Sequence, residues 1–203
     1  MVSGKSKLSA SDWCSAALNV IAESGVDAVA VEPMARRLGV TKGSFYWHFS
    51  SRDALLKAAL KMWELLVTDQ VAARVESETD PRMRIRKLFR EVDGSEHASR
   101  LHLALAANTH DPEIRQVVQR VSRRQIQLLN ECYQALGLER GQAGHYATLA
   151  YSTYLGTMQL RRDAPEAIPH GDALHVYLDF VNEALIPPAG QPGITKNLST
   201  GFR

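Results

Sequence analysis

Cysteine is scarce in this sequence. Only Cys14 and Cys132 are present, each isolated within a segment of helical pattern, without the spacing of a metal site or a redox pair. We predict that both are buried, reduced thiols. No apolar run reaches 18 residues, which excludes a membrane-spanning helix, and the first residues lack the apolar stretch of a signal peptide. We therefore expect a cytoplasmic protein that does not bind to a membrane.

The motifs of enzymes and of metal sites are also missing. The sequence has no glycine-rich phosphate loop, no nucleophile elbow and no paired-carboxylate motif. His97 and His102 are five residues apart, as are His170 and His175, so neither pair has the i, i+4 spacing of two metal ligands on one helical face. We predict that the protein is not an enzyme and has no metal site and no cofactor. The net charge of +2 alone does not indicate nucleic acid as a partner.

Helical periodicity, in contrast, runs through almost the whole chain, and no alternating pattern bounded by turns indicates a strand. The pattern predicts an all-α protein of about nine helices. The fourth of them is expected to continue without a break from about residue 51 to residue 76. Residues 187–203 are rich in Gly, Pro, Ser, Thr and Asn, and we expect them to be a disordered tail.

A short helix, a turn and a second helix are indicated between residues 31 and 49. Pro33 suits the first turn of a helix over Val31–Leu38, and Gly39 allows the chain to reverse directly after it. Thr41 is a plausible N-cap for the next helix. This order is that of a helix-turn-helix motif, whose second helix enters the major groove of DNA.

The second helix of this motif carries a dense group of aromatic residues. Phe45 and Phe49 are four apart, so they share a face and can be buried together. Tyr46, Trp47 and His48 must then point elsewhere, and each has a polar group that can bond to the oxygens of a phosphate backbone. An alternative for Trp47 is that it packs in the core against the first helix.

With these residues in place, the segment from about Ser9 to Trp63 resembles the DNA-binding domain of the TetR family of transcriptional regulators. The resemblance lies in residues 17–25, 31–38, 39–49 and 51–56. It implies a three-helix DNA-binding head over residues 1–62 and a helical body over residues 63–186. It also implies a repressor that binds a palindromic operator in double-stranded DNA as a homodimer and is released by a small organic effector.

The residues expected to contact DNA lie in or next to the second helix of the motif. The resemblance places Lys42, Gly43 and Ser44 at its start, facing base edges, where lysine can donate to guanine and glycine allows close backbone approach. Tyr46 is expected at a base or a nearby phosphate. The predicted phosphate contacts are made by Trp47, His48 and Arg52.

The body is the part that the sequence describes least. In the TetR family it binds an effector and forms the dimer. The residues predicted to line a mainly apolar effector pocket are Met62, Trp63, Leu66, Phe89, His102, Leu103, Tyr133 and Tyr151. The residues predicted to form the dimer interface are Tyr151, Gly156, Leu174, Tyr177, Phe180 and Val181. The alternative function is that of a helical ligand-binding or scaffolding protein whose DNA-binding head is not functional.

Overall fold

The computed structural model describes residues 8–93 and 96–188, and it shows the side chains of these residues except for 91–93. Ten α-helices and no strand are present in these ranges. The helices are α1 Ala10–Ser24, α2 Val31–Arg37, α3 Lys42–Tyr46, α4 Arg52–Val67, α5 Asp69–Glu76, α6 Pro81–Asp93, α7 Glu96–Ala107, α8 Pro112–Ala135, α9 Arg140–Asp163 and α10 Asp172–Leu185. The predicted all-α class is confirmed. The predicted disordered tail lies outside the described residues from position 189 onward.

The described chain forms two compact units, and each is built from two separate stretches of sequence. The first unit takes residues 8–69 and 96–121, and the second takes residues 70–93 and 122–188. The division differs from the linear one at residue 62 that the sequence suggested. Helix α7 and the first half of α8 pack with the head because Leu101, Leu105 and Ile114 join its apolar core.

Helix α1 is the centre of the first unit. It begins with a capping box, in which the Ser9 hydroxyl accepts from the Asp12 backbone N–H and the Asp12 carboxylate accepts from the Ser9 backbone N–H. Gly25, at φ +84°, ends the helix in a conformation that favours glycine. Between these ends, Trp13, Ile21 and their neighbours are buried against α4 and α7.

The predicted fourth helix is interrupted at Thr68 and forms two helices, α4 and α5, which is why ten helices are observed in the described ranges where about nine were expected. Thr68 has φ −117° and ψ −80°, outside the helical range. Its hydroxyl donates to the Glu64 carbonyl at 2.7 Å, so the side chain competes locally with the helical hydrogen-bond ladder. Periodicity in the sequence cannot show this break, because the apolar face continues in α5 with Val71 and Val75.

The second unit has its own apolar core, built from α5, α6, α9, α10 and the second half of α8. At its centre Tyr133 is fully buried, and its hydroxyl donates to the Leu185 carbonyl at 2.9 Å, which ties α8 to the end of α10. Cys14 and Cys132 are buried free thiols, as predicted, and burial raises the pKa of Cys132 to about 11. Across the described ranges, no helix is both long and apolar enough to span a membrane.

Candidate nucleic-acid interface

Helices α2 and α3 are joined by a short turn that is closed by backbone hydrogen bonds. Gly39 adopts φ +67°, and the Val40 N–H donates to the Ala35 carbonyl at 3.0 Å. Thr41 stands at the predicted N-cap position with an extended backbone, although its side chain makes no capping bond. The geometry is that of a helix-turn-helix motif, as the sequence indicates.

Phe45 anchors α3 to the rest of the first unit. Its side chain has no exposed surface and meets Trp13 of α1 edge to face, with ring centroids 5.3 Å apart. Phe49 packs beside it at 5.8 Å and is also buried. The prediction that these two phenylalanines face the core is confirmed. Aromatic side chains with so much buried area fix the position of a helix as short as α3.

The opposite side of α3 is open to solvent. Lys42, Gly43 and Tyr46 are exposed, and Trp47, the residue that follows the helix, is 83% exposed. The alternative that Trp47 packs in the core is therefore wrong. Ser44 and His48 are half-buried at the edges of this surface. The predicted DNA-facing residues from 42 to 48 are thus at least partly accessible, although direct contact with DNA stays a prediction.

The ammonium group of Lys42 is held by a neighbouring helix. Lys42 Nζ donates to Oε1 of Glu32, in the first turn of α2, at 2.8 Å. This hydrogen bond is the main reason that the pKa of Glu32 is lowered and the pKa of Lys42 is raised. Both residues are therefore charged near neutral pH. Sequence reasoning did not single out Glu32, although its place in the first turn of α2, directly before Pro33, is visible in the sequence.

Arg52, at the start of α4, is engaged inside the head. Its Nε donates to the Val29 carbonyl at 2.7 Å and its Nη2 to the Val26 carbonyl at 2.9 Å. These bonds hold the segment between α1 and α2 against α4. Two guanidinium nitrogens of Arg52 are thus bonded within the head, and the phosphate contact predicted for Arg52 stays a prediction.

We expect Arg52→Lys to lower the free energy of unfolding by about 1–3 kcal/mol, because lysine keeps the charge but cannot satisfy both carbonyls. Chemical denaturation of the variant and the wild type measures the difference. Lys57→Arg, a like-sized exchange on the exposed face of α4, serves as the control and should leave stability unchanged. Equal stability of Arg52→Lys and wild type, together with weaker DNA binding, would instead support the phosphate contact.

Comparison with known families agrees with this architecture. Residues 14–59, from α1 into α4, match the sequence profile described as bacterial regulatory proteins, tetR family. Residues 14–59 therefore form a DNA-binding domain of the TetR type. The chain is 30% identical to the HTH-type transcriptional regulator BetI of Proteus mirabilis over 129 residues, which are 59% of this chain and 62% of the relative. It is 46% identical to the class A tetracycline repressor from transposon 1721 of Escherichia coli over 43 residues, which are 21% of this chain and 20% of that protein.

These matches span less than two thirds of either TetR-family relative, whereas likeness in three dimensions extends further. A TetR transcriptional regulator from Legionella pneumophila superimposes with a TM-score of 0.74 at 16% sequence identity. The superposition covers 92% of this chain and all of that one. At this identity the similarity establishes a shared fold. The body thus shares this fold as well.

The eight residues predicted to line an effector pocket are divided between the two units. Met62, Trp63, Leu66, His102 and Leu103 belong to the first unit, and Phe89, Tyr133 and Tyr151 belong to the second. In the first unit Trp63 meets His102 edge to face at 5.8 Å, and Leu66 is exposed. In the second unit the Tyr133 hydroxyl is bonded to the Leu185 carbonyl and the Tyr151 hydroxyl donates to Ser122 Oγ at 2.9 Å. The role of these residues in effector binding stays a prediction.

Two clefts of the second unit lie between α10 and its neighbours. An apolar one, with room for about 20 Å³, is lined by Phe89, Tyr154 and residues of α9 and α10. A wider one of about 390 Å³ lies between α6 and α10 and carries charges of both signs, Arg86 and Arg90 opposite Asp179 and Glu183. Of the predicted pocket residues, only Phe89 lines either cleft. Pocket-lining residues such as Asn182 escaped the sequence analysis because a buried asparagine has no distinguishing pattern.

The residues predicted for the dimer interface fall into two groups. Gly156 and Phe180 are exposed, the latter at 71%. Tyr151 is buried in the second unit, while Leu174, Tyr177 and Val181 are half-buried there. Further exposed apolar residues of these two helices are Leu149 and Leu160 of α9 and Val176 of α10. Leu149, Gly156 and Leu160 recur at helical spacing, as do Val176 and Phe180, so the periodicity could have revealed them.

Proposed function

We propose that this chain is a sequence-specific DNA-binding repressor that binds a palindromic operator as a homodimer and is released by a small organic effector. The observation that carries the proposal is the exposed face of α3. Lys42, Gly43 and Tyr46 lie open on a helix that Phe45 fixes rigidly to the core. A rigid helix with exposed donors and a glycine suits the major groove of DNA.

Dimerisation is supported by the apolar surface that α9 and α10 leave exposed. A monomeric protein rarely leaves side chains as large as Phe180 and Val176 mostly exposed on one helix face. On α9, Gly156 is exposed between Leu149 and Leu160, and a Cβ placed on it would meet no atom within 4 Å. A second copy of the same surface can pack there by two-fold symmetry. Two heads about 34–36 Å apart would then reach two half-sites on one face of DNA.

Release by a small molecule is supported by the family and by the body of the protein. One relative is named a tetracycline repressor, which associates repression with an organic compound. The second unit also contains clefts beside α10, one of them within the usual size range of small-molecule sites. An effector that binds better to a conformation with a different head spacing lowers operator affinity by the difference in its binding free energies.

A gel-shift assay with DNA flanking the protein's own gene tests DNA binding, and Gly43→Ala makes it specific for α3. A Cβ at Gly43 would meet only Thr41 Oγ1, at an ordinary 3.6 Å, so alanine fits the free protein. Because alanine favours a helix by about 1 kcal/mol over glycine, thermal stability should hold or rise. Operator affinity should nevertheless fall about tenfold, because the added methyl stands where the backbone approaches the bases.

Gly141→Ala is the matched control. Gly141 is also the second residue of a helix, and a Cβ there would meet nothing within 4 Å, but it lies in α9. We expect it to leave operator affinity unchanged. Sequence-specific binding by wild type that Gly43→Ala does not weaken would remove α3 as the reading helix. A wild type that binds no flanking or selected DNA would favour a ligand-binding or scaffolding protein with a non-functional head.

A further inference from the structure

Glu32 brings a negative charge to the surface that carries the proposed DNA-reading residues. Its carboxylate accepts from Lys42 Nζ at 2.8 Å, and the two side chains are 67% and 51% exposed. Tyr46, four residues after Lys42 on α3, is 54% exposed, so the pair borders the open face of α3. The Glu32 carboxylate therefore lies directly beside the Lys42 ammonium group on this surface.

A carboxylate in the major groove is selective in what it can bond to. It has no donor of its own, and the phosphates around it repel it. The donors that base pairs present in the major groove are the cytosine N4 and adenine N6 amines. Lysine has the opposite requirement, since an ammonium group needs an acceptor, and guanine offers two, O6 and N7.

A G·C pair satisfies both residues at once. Guanine O6 and cytosine N4 lie next to each other on the major-groove edge, because they are partners in the same base pair. An ammonium beside a carboxylate presents the complementary order of donor and acceptor. A T·A pair also has an acceptor beside a donor, thymine O4 beside adenine N6. However, thymine offers the ammonium group one acceptor where guanine offers two, and an apolar methyl group lies beside O4.

We propose that Glu32 and Lys42 act as one unit that reads a G·C base pair in each operator half-site. Lys42 donates to guanine, and Glu32 accepts from the N4 amine of the cytosine paired with it. The inference rests on the proposed DNA-binding function and adds to it the base pair that the start of α3 selects. On an A·T pair the only donor is the adenine N6 amine, and the adenine N7 acceptor beside it repels the carboxylate, so binding is weaker.

Selection of binding sites from random DNA, followed by affinity measurements at one fixed salt concentration, tests the proposal with Glu32→Gln. Glutamine has nearly the same shape but both donates and accepts, so it tolerates either base pair. The wild type should enrich G·C at one position of each half-site. Glu32→Gln should reduce the discrimination against A·T there about tenfold and leave the other positions unchanged.

Glu23→Gln is the control, because Glu23 is also an exposed carboxylate of the head paired with a cation, Arg37, at 2.5 Å. It removes the same charge from α1 and should keep the wild-type preference. Circular dichroism melts establish that all three proteins are folded. If Glu32→Gln raises affinity for every sequence by one factor and keeps the base preference, Glu32 only repels phosphates and the reading of G·C is wrong. If the wild type enriches no sequence, the proposed function itself fails, and the inference fails with it.

Discussion

Phe180→Asp is expected to convert the protein from a dimer to a monomer and to lower its operator affinity about 10²- to 10⁴-fold. The side chain is 71% exposed in the protomer, so aspartate costs little in the isolated chain. In a symmetric interface the new carboxylate is buried opposite apolar groups, which is strongly unfavourable. A monomer then loses the high effective concentration that links the two half-sites, although its head is untouched.

Gly156→Leu should have the same effect by a different route. The surroundings of Gly156 are open within the protomer, so leucine fits there, but it prevents the close approach of another helix. Sedimentation equilibrium measures the oligomeric state, and a gel shift measures the affinity. Met83→Asp, an exposed apolar residue of α6 in the same unit, is the control and should remain a dimer that binds its operator. If both variants sediment as dimers, the subunits associate through another surface.

The free energy of unfolding of the wild type is expected to fall by about 3 kcal/mol between pH 7 and pH 4 through His102 alone. Burial lowers the pKa of His102 from 6.5 to about 4, since the charged imidazolium cannot be hydrated beside Trp63. Between these two values the unfolded chain binds a proton that the folded protein does not. The stabilising contribution of neutral His102 is therefore fully present above pH 6.5 and is lost as the pH falls toward 4.

His102→Gln isolates this contribution, because glutamine is polar and does not titrate. The variant is less stable at neutral pH, but its stability should decline less steeply with acid. Hydrogen bonds from arginine lower the pKa values of carboxylates such as Glu23 and Glu64. Their protonation at low pH also lowers the free energy of unfolding, and it does so equally in both proteins. Urea denaturation at several pH values gives the difference. Parallel curves for the two proteins would show that His102 is protonated without cost in the folded state.

The sequence predicts the head well because its determinants are local. The order of Pro33, Gly39 and Thr41 indicates the turn, and the spacing of Phe45 and Phe49 identifies the buried face of α3. The residues of α3 that do not belong to the buried face are predicted to be exposed, and Lys42, Gly43 and Tyr46 are exposed. The sequence does not predict all of their contacts, since the ion pair between Lys42 and Glu32 appears only in the structure.

Contacts between residues far apart in sequence are what the pattern cannot supply. Arg52 looks like a surface cation, and only the folded chain brings the carbonyls of Val26 and Val29 to its guanidinium. Similarly, Trp63 and Tyr133 are both aromatic residues in apolar helical patterns, yet they belong to different units. Hydrophobic periodicity predicts that a residue is buried but not against which partner, so an effector pocket could not be assembled from it.

The interleaving of the two units along the chain has a consequence for synthesis. The apolar faces of α1 and α4 are covered in part by Leu101, Leu105, Ile114, Val117 and Val121, which follow the whole of α5 and α6. On the ribosome, these faces stay uncovered until the chain has been made past its midpoint. A proteolytic or genetic fragment that ends near residue 62 contains every residue of the helix-turn-helix motif but lacks this cover. We expect such a fragment to be poorly soluble and to bind DNA weakly.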